Sequence, residues 1–144
     1  MPPPVDKYRL HGRVLVVDDV EENRTLMQYY LKRAGAEVVL TEDGVMALDG
    51  LMGPASKRTG PDAVAPFDLV LMDMQMPRVD GYTAVQQLRA AGFKTPIIAV
   101  TAHTLTGDRE KCIRAGCDDY VPKPINPDML LQKCQTLMAR AAAA

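Results

Sequence analysis

The sequence predicts an α/β fold, a doubly wound five-stranded parallel sheet with helices on both faces. Four short apolar runs, at residues 14–17, 69–72, 97–100 and 120–122, each end at a polar residue. The runs are continuous rather than alternating, which is typical of strands covered on both faces. Segments with helical spacing of apolar residues separate them, and this order indicates βαβ units.

The first two β/α repeats are predicted before residue 52. Residues 14–17 form the first strand, and the next helix has its apolar residues at positions 26–34, followed by Gly35 as a left-handed C-terminal cap. Residues 37–41 predict the second strand, and residues 45–51 predict a short second helix.

A segment rich in chain breakers separates these repeats from the last three. Residues 52–66 contain the pairs Gly-Pro, Gly-Pro and Ala-Pro, which predict a long exposed loop that serves as a neutral linker. Beyond it, Asn126 is expected to cap the last helix, with Pro127 at the first helical position. The other predicted elements are strands at 69–72, 97–100 and 120–121, a third helix between Gly81 and Gly92, and a fourth between Thr106 and Gly116.

Length and composition indicate one domain without a membrane or nucleic-acid partner. A chain of 144 residues with a formal net charge of −1 can bury a single core, and its Lys and Arg are not clustered as nucleic-acid binding requires. No apolar stretch approaches the roughly 20 residues that cross a bilayer, so a cytoplasmic location is expected. Three cysteines without paired spacing are expected to stay as thiols.

The folded domain is expected over residues 12–139. Residues 1–11 contain three consecutive prolines and predict a leader or a linker remnant. Residues 140–144 are interpreted as a helix extension or a second linker remnant. Both ends fit a module that belongs to a longer protein.

Polar residues at the ends of the apolar runs define a candidate site, because ligands of open α/β sheets bind in the crevice outside the carboxyl ends of the strands. Asp18 and Asp19 follow the first run, and Asp73, Thr101 and Lys123 follow the others. Three neighbouring carboxylates repel one another unless a cation lies between them. An all-oxygen ligand set favours Mg²⁺, with Mn²⁺ as an alternative, and the motifs lack the His and Cys ligands of zinc sites.

This set of side chains favours phosphoryl transfer. The carboxylate of Asp73 can attack phosphorus, while Lys123, the Thr101 hydroxyl and the metal stabilise the phosphoryl oxygens. Each residue alone has a structural explanation, since Asp often caps a helix, Thr often lies in a strand and Lys is often a surface charge. Their joint order at the ends of successive runs favours the phosphorylation site.

The motifs together resemble the receiver domain of two-component signalling, most closely the receivers of hybrid histidine kinases. The resemblance covers residues 14–138 and implies the flavodoxin-like (βα)5 fold. It rests on VVDD at 16–19, MDMQMP at 72–77, DG at 80–81, VTA at 100–102 and DYVPKP at 119–124.

The resemblance assigns a role to each site residue. Asp73 would be the phosphoacceptor and, with Asp19 and the Gln75 backbone carbonyl, a direct Mg²⁺ ligand, while Asp18 would bind the metal through water. Thr101 and Lys123 would hold the phosphoryl group, and Lys123–Pro124 is expected to be a cis peptide. Thr101 and Tyr120 would form the switch.

The resemblance also implies the partners. A histidine kinase or a histidine phosphotransfer domain would donate the phosphoryl group, and the surface of the fourth helix, fifth strand and fifth helix would respond and could form a homodimer. Any kinase activity would lie outside this chain, in a parent protein that could be a membrane-anchored hybrid kinase, and the module itself is not expected to be an enzyme.

Three alternatives stay open. A Mg²⁺-dependent phosphohydrolase with an aspartyl-phosphate intermediate needs an acid/base carboxylate two residues after the nucleophile, where this chain has Gln75. A receiver-like scaffold that is never phosphorylated would not need the acidic pair and the lysine. A nucleotide- or flavin-binding protein of the same fold lacks support, because no Gly-rich loop follows the first strand.

Overall fold

A computed structural model describes residues 8–42, 67–75, 81–90, 92–102 and 108–143. The predicted second helix and the 52–66 loop lie outside these ranges. The described elements are β1 (Arg13–Val17), α1 (Glu21–Arg33), β2 (Glu37–Thr41), β3 (Leu69–Asp73), α2 (Gly81–Ala90), β4 (Ile97–Thr101), α3 (Asp108–Ala115), β5 (Asp119–Pro122) and α4 (Pro127–Ala143).

The five strands form one parallel sheet in the order β2-β1-β3-β4-β5. This is the strand order of the flavodoxin-like doubly wound fold, so the predicted fold class is confirmed. Every residue of β1, β3 and β4 is buried, as their continuous apolar composition predicted.

Helices cover the sheet on both faces because alternate strand residues point to opposite sides. On one face, Val16 and Leu71 pack against apolar residues of α1 and α4, among them Leu31 and Leu131. On the other face, the remaining strand side chains pack against α2 and α3; they include Leu15, Val17, Val70, Met72, Ile97 and Ala99.

The ends of the domain add contacts that the apolar pattern did not predict. Tyr8 and Leu10 are buried, so packing begins before residue 12. The Tyr8 hydroxyl donates to Asp128 at 2.8 Å, and the Leu10 amide donates to the carbonyl of Ala34 at 2.8 Å. At the other end, α4 continues through Ala143.

The first turn of α4 and the apolar face of α1 can be compared with the predicted helices. Asn126 Oδ1 accepts a hydrogen bond from the Met129 amide at 3.1 Å, so the predicted N-cap is confirmed. In α1, Met27 and Leu31 are buried, whereas Leu26 is 37% exposed although it belongs to the same apolar spacing.

Arg89 joins the elements at the amino edge of the sheet, opposite the carboxyl ends of the strands. Its guanidinium makes one hydrogen bond of 2.9 Å to the side chain of Asp118, which also accepts from the Ile97 amide. The same guanidinium donates to three backbone carbonyls, those of Phe93, Thr95 and Gly116. One side chain thereby supplies hydrogen bonds to polar groups of the loops that precede β4 and β5.

Gly81, the first residue of α2, lies against the end of β3. A Cβ atom at this position would be 2.6 Å from the carbonyl oxygen of Asp73 and from the Cα of Met74. Because these are backbone atoms, we expect Gly81→Ala to lower the free energy of unfolding by about 3 kcal/mol.

Chemical denaturation measures this loss, and Gly92→Ala is the comparison. At Gly92 a Cβ would meet nothing within 4 Å, but φ is +91°, so only backbone strain of about 1 kcal/mol is expected. Equal losses for the two variants would contradict close packing at Gly81.

Candidate functional site

Three carboxylates meet at the carboxyl edge of the sheet. In the pairing of β1 with β3, Val17 lies opposite Met72, so Asp18 and Asp73 follow at the same level of adjacent strands. One oxygen from each of Asp18, Asp19 and Asp73 lies within 4.8 Å of the others. Asp18 and Asp73 are 0% and 1% exposed, whereas Asp19 is exposed.

Local hydrogen bonds orient the two buried carboxylates. Asp18 Oδ1 accepts from the Val20 amide at 2.8 Å, and Asp73 Oδ1 accepts from the Gln75 amide at 3.0 Å. Each aspartate thus binds the backbone two residues ahead, as short polar side chains do in turns.

The acidic cluster fits a hard divalent cation. Asp18 Oδ2 and Asp73 Oδ2 are buried, and neither has a hydrogen-bond partner among the described residues. Buried polar atoms nearly always have a hydrogen-bond partner, so two carboxylate oxygens without a donor at one place are suited to bind a cation. Oxygen ligands of this kind suit Mg²⁺ or Mn²⁺.

Lys123 brings a positive charge to the same crevice. Its Nζ is 3.3 Å from Asp73 Oδ1 and 3.7 Å from Asp18 Oδ2. The backbone holds this residue in place, because the Lys123 amide donates to the Thr101 carbonyl at 2.8 Å. The Lys123–Pro124 peptide bond is cis.

Thr101 ends β4, and Tyr120 lies within β5. Thr101 is fully buried, with Pro122 opposite it in the β4–β5 pairing, and Tyr120 packs against the face of the sheet that α2 and α3 cover. Lys133 of α4 lies 5.1 Å from the centre of the Tyr120 ring and donates to the Tyr120 carbonyl at 2.9 Å. Sequence reasoning did not identify Lys133.

The Gln75 side chain contacts the end of β4. Its Nε2 donates to Thr101 Oγ1 at 3.1 Å, and its Oε1 accepts from the Ala102 amide at 3.1 Å. From the sequence, the Gln75 backbone carbonyl is a predicted metal ligand, and its side chain is expected only to lack the acid/base function of a phosphohydrolase. No periodicity or spacing in the sequence signals this side-chain bridge.

The pKa of Asp73 is raised from 3.8 to about 6. Burial away from water is the main cause, and the charge of Asp18 raises the pKa further. The backbone amide of Gln75 and the ammonium of Lys123 lower the pKa of Asp73 and so offset part of this rise. A divalent cation bound beside Asp73 would lower this pKa and favour the ionised carboxylate.

The fold and this crevice are those of a receiver domain. The model of the response regulator receiver domain family matches residues 14–135, and the chain belongs to this family. The two-component response regulator ORR41 of Oryza sativa subsp. japonica is 41% identical over 120 residues, which cover 82% of this chain and 87% of that protein.

Larger signalling proteins contain a similar segment. Hybrid signal transduction histidine kinase I of Dictyostelium discoideum is 37% identical over 132 residues, which cover 89% of this chain but 7% of the kinase. The solved receiver domain of the sensor histidine kinase PA1611 from Pseudomonas aeruginosa PAO1 has a TM-score of 0.73 and 33% identity, and the match covers 90% of this chain and 99% of that one. That structure has a magnesium ion coordinated in its active-site cleft.

In the part of the chain that the structure describes, no helix combines the length and apolar character that a bilayer span requires.

The raised pKa of Asp73 predicts how stability depends on pH without metal. The folded state holds the Asp73 proton more tightly than the unfolded state, so this residue makes the protein less stable as the pH rises from 3.8 to about 6. Asp73→Asn should therefore raise the free energy of unfolding by about 2 kcal/mol at about pH 8 and change it little at about pH 4.

Urea denaturation in the presence of a chelator measures this difference. Glu110→Gln, which neutralises an exposed carboxylate on α3, is the control and should leave the dependence on pH as in the unmodified protein. If Asp73→Asn raised the free energy of unfolding by the same amount at both pH values, the raised pKa of Asp73 would be contradicted.

Proposed function

We propose that this receiver domain accepts a phosphoryl group on Asp73 from a phosphohistidine of a histidine kinase or a histidine phosphotransfer domain. The observation that carries the proposal is the position of Asp73. It is a buried carboxylate with the Lys123 ammonium 3.3 Å away, inside a cluster of acids in which two buried oxygens have no hydrogen-bond donor among the described residues. A carboxylate at this position can act as a nucleophile, and the neighbouring ammonium group can stabilise the charge of the phosphoryl group that it attacks.

The transfer forms one bond and breaks one. A carboxylate oxygen of Asp73 attacks phosphorus, the bond between phosphorus and the histidine nitrogen breaks, and the imidazole nitrogen keeps the electron pair. Lys123 stabilises negative charge on a phosphoryl oxygen, and the Thr101 hydroxyl donates a hydrogen bond to another.

Asp19, Asp73 and the Gln75 backbone carbonyl are the proposed direct ligands of Mg²⁺, and Asp18 is the proposed ligand through water. When bound, the ion neutralises charge on the acids and on the phosphoryl oxygens. Asp18 Oδ2 and Asp73 Oδ2, which are buried without a hydrogen-bond donor among the described residues, support this assignment. The magnesium in the similar receiver of PA1611 supports it too.

Phosphorylation would shift the domain between two states. The new dianion attracts Thr101, Tyr120 turns inward into the space that Thr101 leaves, and the surface made by α3, β5 and α4 changes. This surface is the proposed contact for a downstream partner or for a second copy of the chain. We place the module in the cytoplasm, where its buried thiols Cys112, Cys117 and Cys134 stay reduced.

A phosphohydrolase is the second candidate, and the side chain at position 75 disfavours it. Hydrolases of this type need a proton donor two residues after the nucleophile, and the amide of Gln75 cannot supply one. Turnover of p-nitrophenyl phosphate at ordinary enzyme rates would favour the hydrolase over the signalling module.

Labelling tests the phosphoacceptor. With Mg²⁺ and radiolabelled acetyl phosphate, we expect the unmodified domain to take up label and Asp73→Asn to take up none, because an amide is not a nucleophile toward phosphorus. Asp119→Asn is the matched control, since Asp119 pairs with Lys133 away from the acidic cluster, and it should label normally. Undiminished label on Asp73→Asn would exclude Asp73 as the acceptor.

Metal binding is tested by calorimetric titration with Mg²⁺. Asp19→Asn should weaken Mg²⁺ binding at least about tenfold, since a carboxylate ligand becomes a neutral amide. Glu22→Gln, in the first turn of α1, removes an equal charge nearby and should change the affinity little. Equal weakening by the two substitutions would indicate a general charge effect rather than a ligand.

A further inference from the structure

One side chain connects the acceptor to the end of β4. The backbone amide of Gln75 donates to Asp73 Oδ1 at 3.0 Å, while its side-chain amide contacts Thr101 and Ala102. Gln75 therefore contacts both the residue proposed to receive phosphorus and the hydroxyl proposed to respond to it.

Both ends of the Gln75 amide are used in this contact. The NH₂ group donates to Thr101 Oγ1 and the carbonyl oxygen accepts from the Ala102 N–H, each at 3.1 Å. An amide that makes a donor bond and an acceptor bond to consecutive residues fixes their position better than either bond alone. Thr101 is fully buried, so water does not readily replace the bond to its hydroxyl.

The proposed switch requires Thr101 to move toward Asp73. Ala102 is exposed and lies just beyond the last residue of β4. The Gln75 side chain and the hydrogen bond from the Lys123 amide to the Thr101 carbonyl both hold this end of β4 at its resting distance.

We propose that the Gln75 side chain is a latch that holds Thr101 and Ala102 in the resting state and releases them when the phosphoryl group arrives. A phosphoryl dianion is a stronger acceptor than the neutral amide oxygen of Gln75, so it competes successfully for the Ala102 amide. The Thr101 hydroxyl accepts from Gln75 Nε2 and donates its own proton to the phosphoryl group, and movement of Thr101 toward that group stretches the bond from Gln75. The strength of the latch sets how much of the protein occupies the switched state before phosphorylation. Gln75 acts here as a positioning residue, and the inference rests on the proposed function.

The test uses Gln75→Met, which keeps the length of the side chain and removes both hydrogen bonds. Gln87→Met, at an exposed position of α2, is the matched control. The probe is beryllofluoride, an analogue of the phosphoryl group, titrated at saturating Mg²⁺ and followed by the amide resonance of residue 102.

We expect Gln75→Met to bind beryllofluoride about tenfold more tightly than the unmodified protein, because the resting state has lost about two net hydrogen bonds. Without beryllofluoride, the Ala102 amide of this variant should exchange with solvent several-fold faster, since its acceptor is gone. Gln87→Met should match the unmodified protein in both measurements.

The outcomes separate the latch from the proposed function. Equal or weaker binding of beryllofluoride by Gln75→Met, with normal binding by the unmodified protein, would overturn the latch alone, because damage to the site or loss of a phosphoryl contact can only weaken binding. Failure of the unmodified protein to bind beryllofluoride would overturn the proposed function together with the latch.

Discussion

Repulsion between buried carboxylates at adjacent strand ends is the constraint on which the site depends. Parallel pairing of β1 with β3 forces Asp18 and Asp73 to the same level, so the fold cannot form without bringing their charges together. Both side chains are buried, and repulsion between buried charges is larger than at the surface. Lys123 offsets part of this repulsion, and among the described residues Asp18 Oδ2 and Asp73 Oδ2 still lack a hydrogen-bond donor. The site is therefore electrostatically incomplete by itself, which is why it suits a cation and a phosphoryl group.

Much of the fold and of the site could be predicted from the sequence because both follow from short-range rules. Continuous apolar runs such as residues 14–17 predict strands that helices cover on both faces, and parallel strands end at one edge of the sheet. The proximity of Asp18, Asp19 and Asp73 follows from these two rules together. The Asn126 cap was equally local, since it involves only the next three residues.

Contacts that depend on the folded arrangement could not be predicted. The Tyr8 hydroxyl bonds to Asp128, 120 residues away, and no local pattern carries that information. Helical spacing places Met27 on the buried apolar face of α1 and Leu26 at the edge of that face. Spacing alone does not show whether a residue at the edge is covered, and Leu26 is exposed. The Gln75 bridge was missed for a related reason: the direction of a long polar side chain is decided by its neighbours in space.

The two edges of the sheet differ in the hydrogen bonding of their polar groups. At the amino edge, Arg89 by itself donates hydrogen bonds to three carbonyls and a carboxylate. These bonds lie at the edge opposite Asp18, Asp19 and Asp73, so an engineer who substitutes the acidic residues leaves the contacts of Arg89 intact.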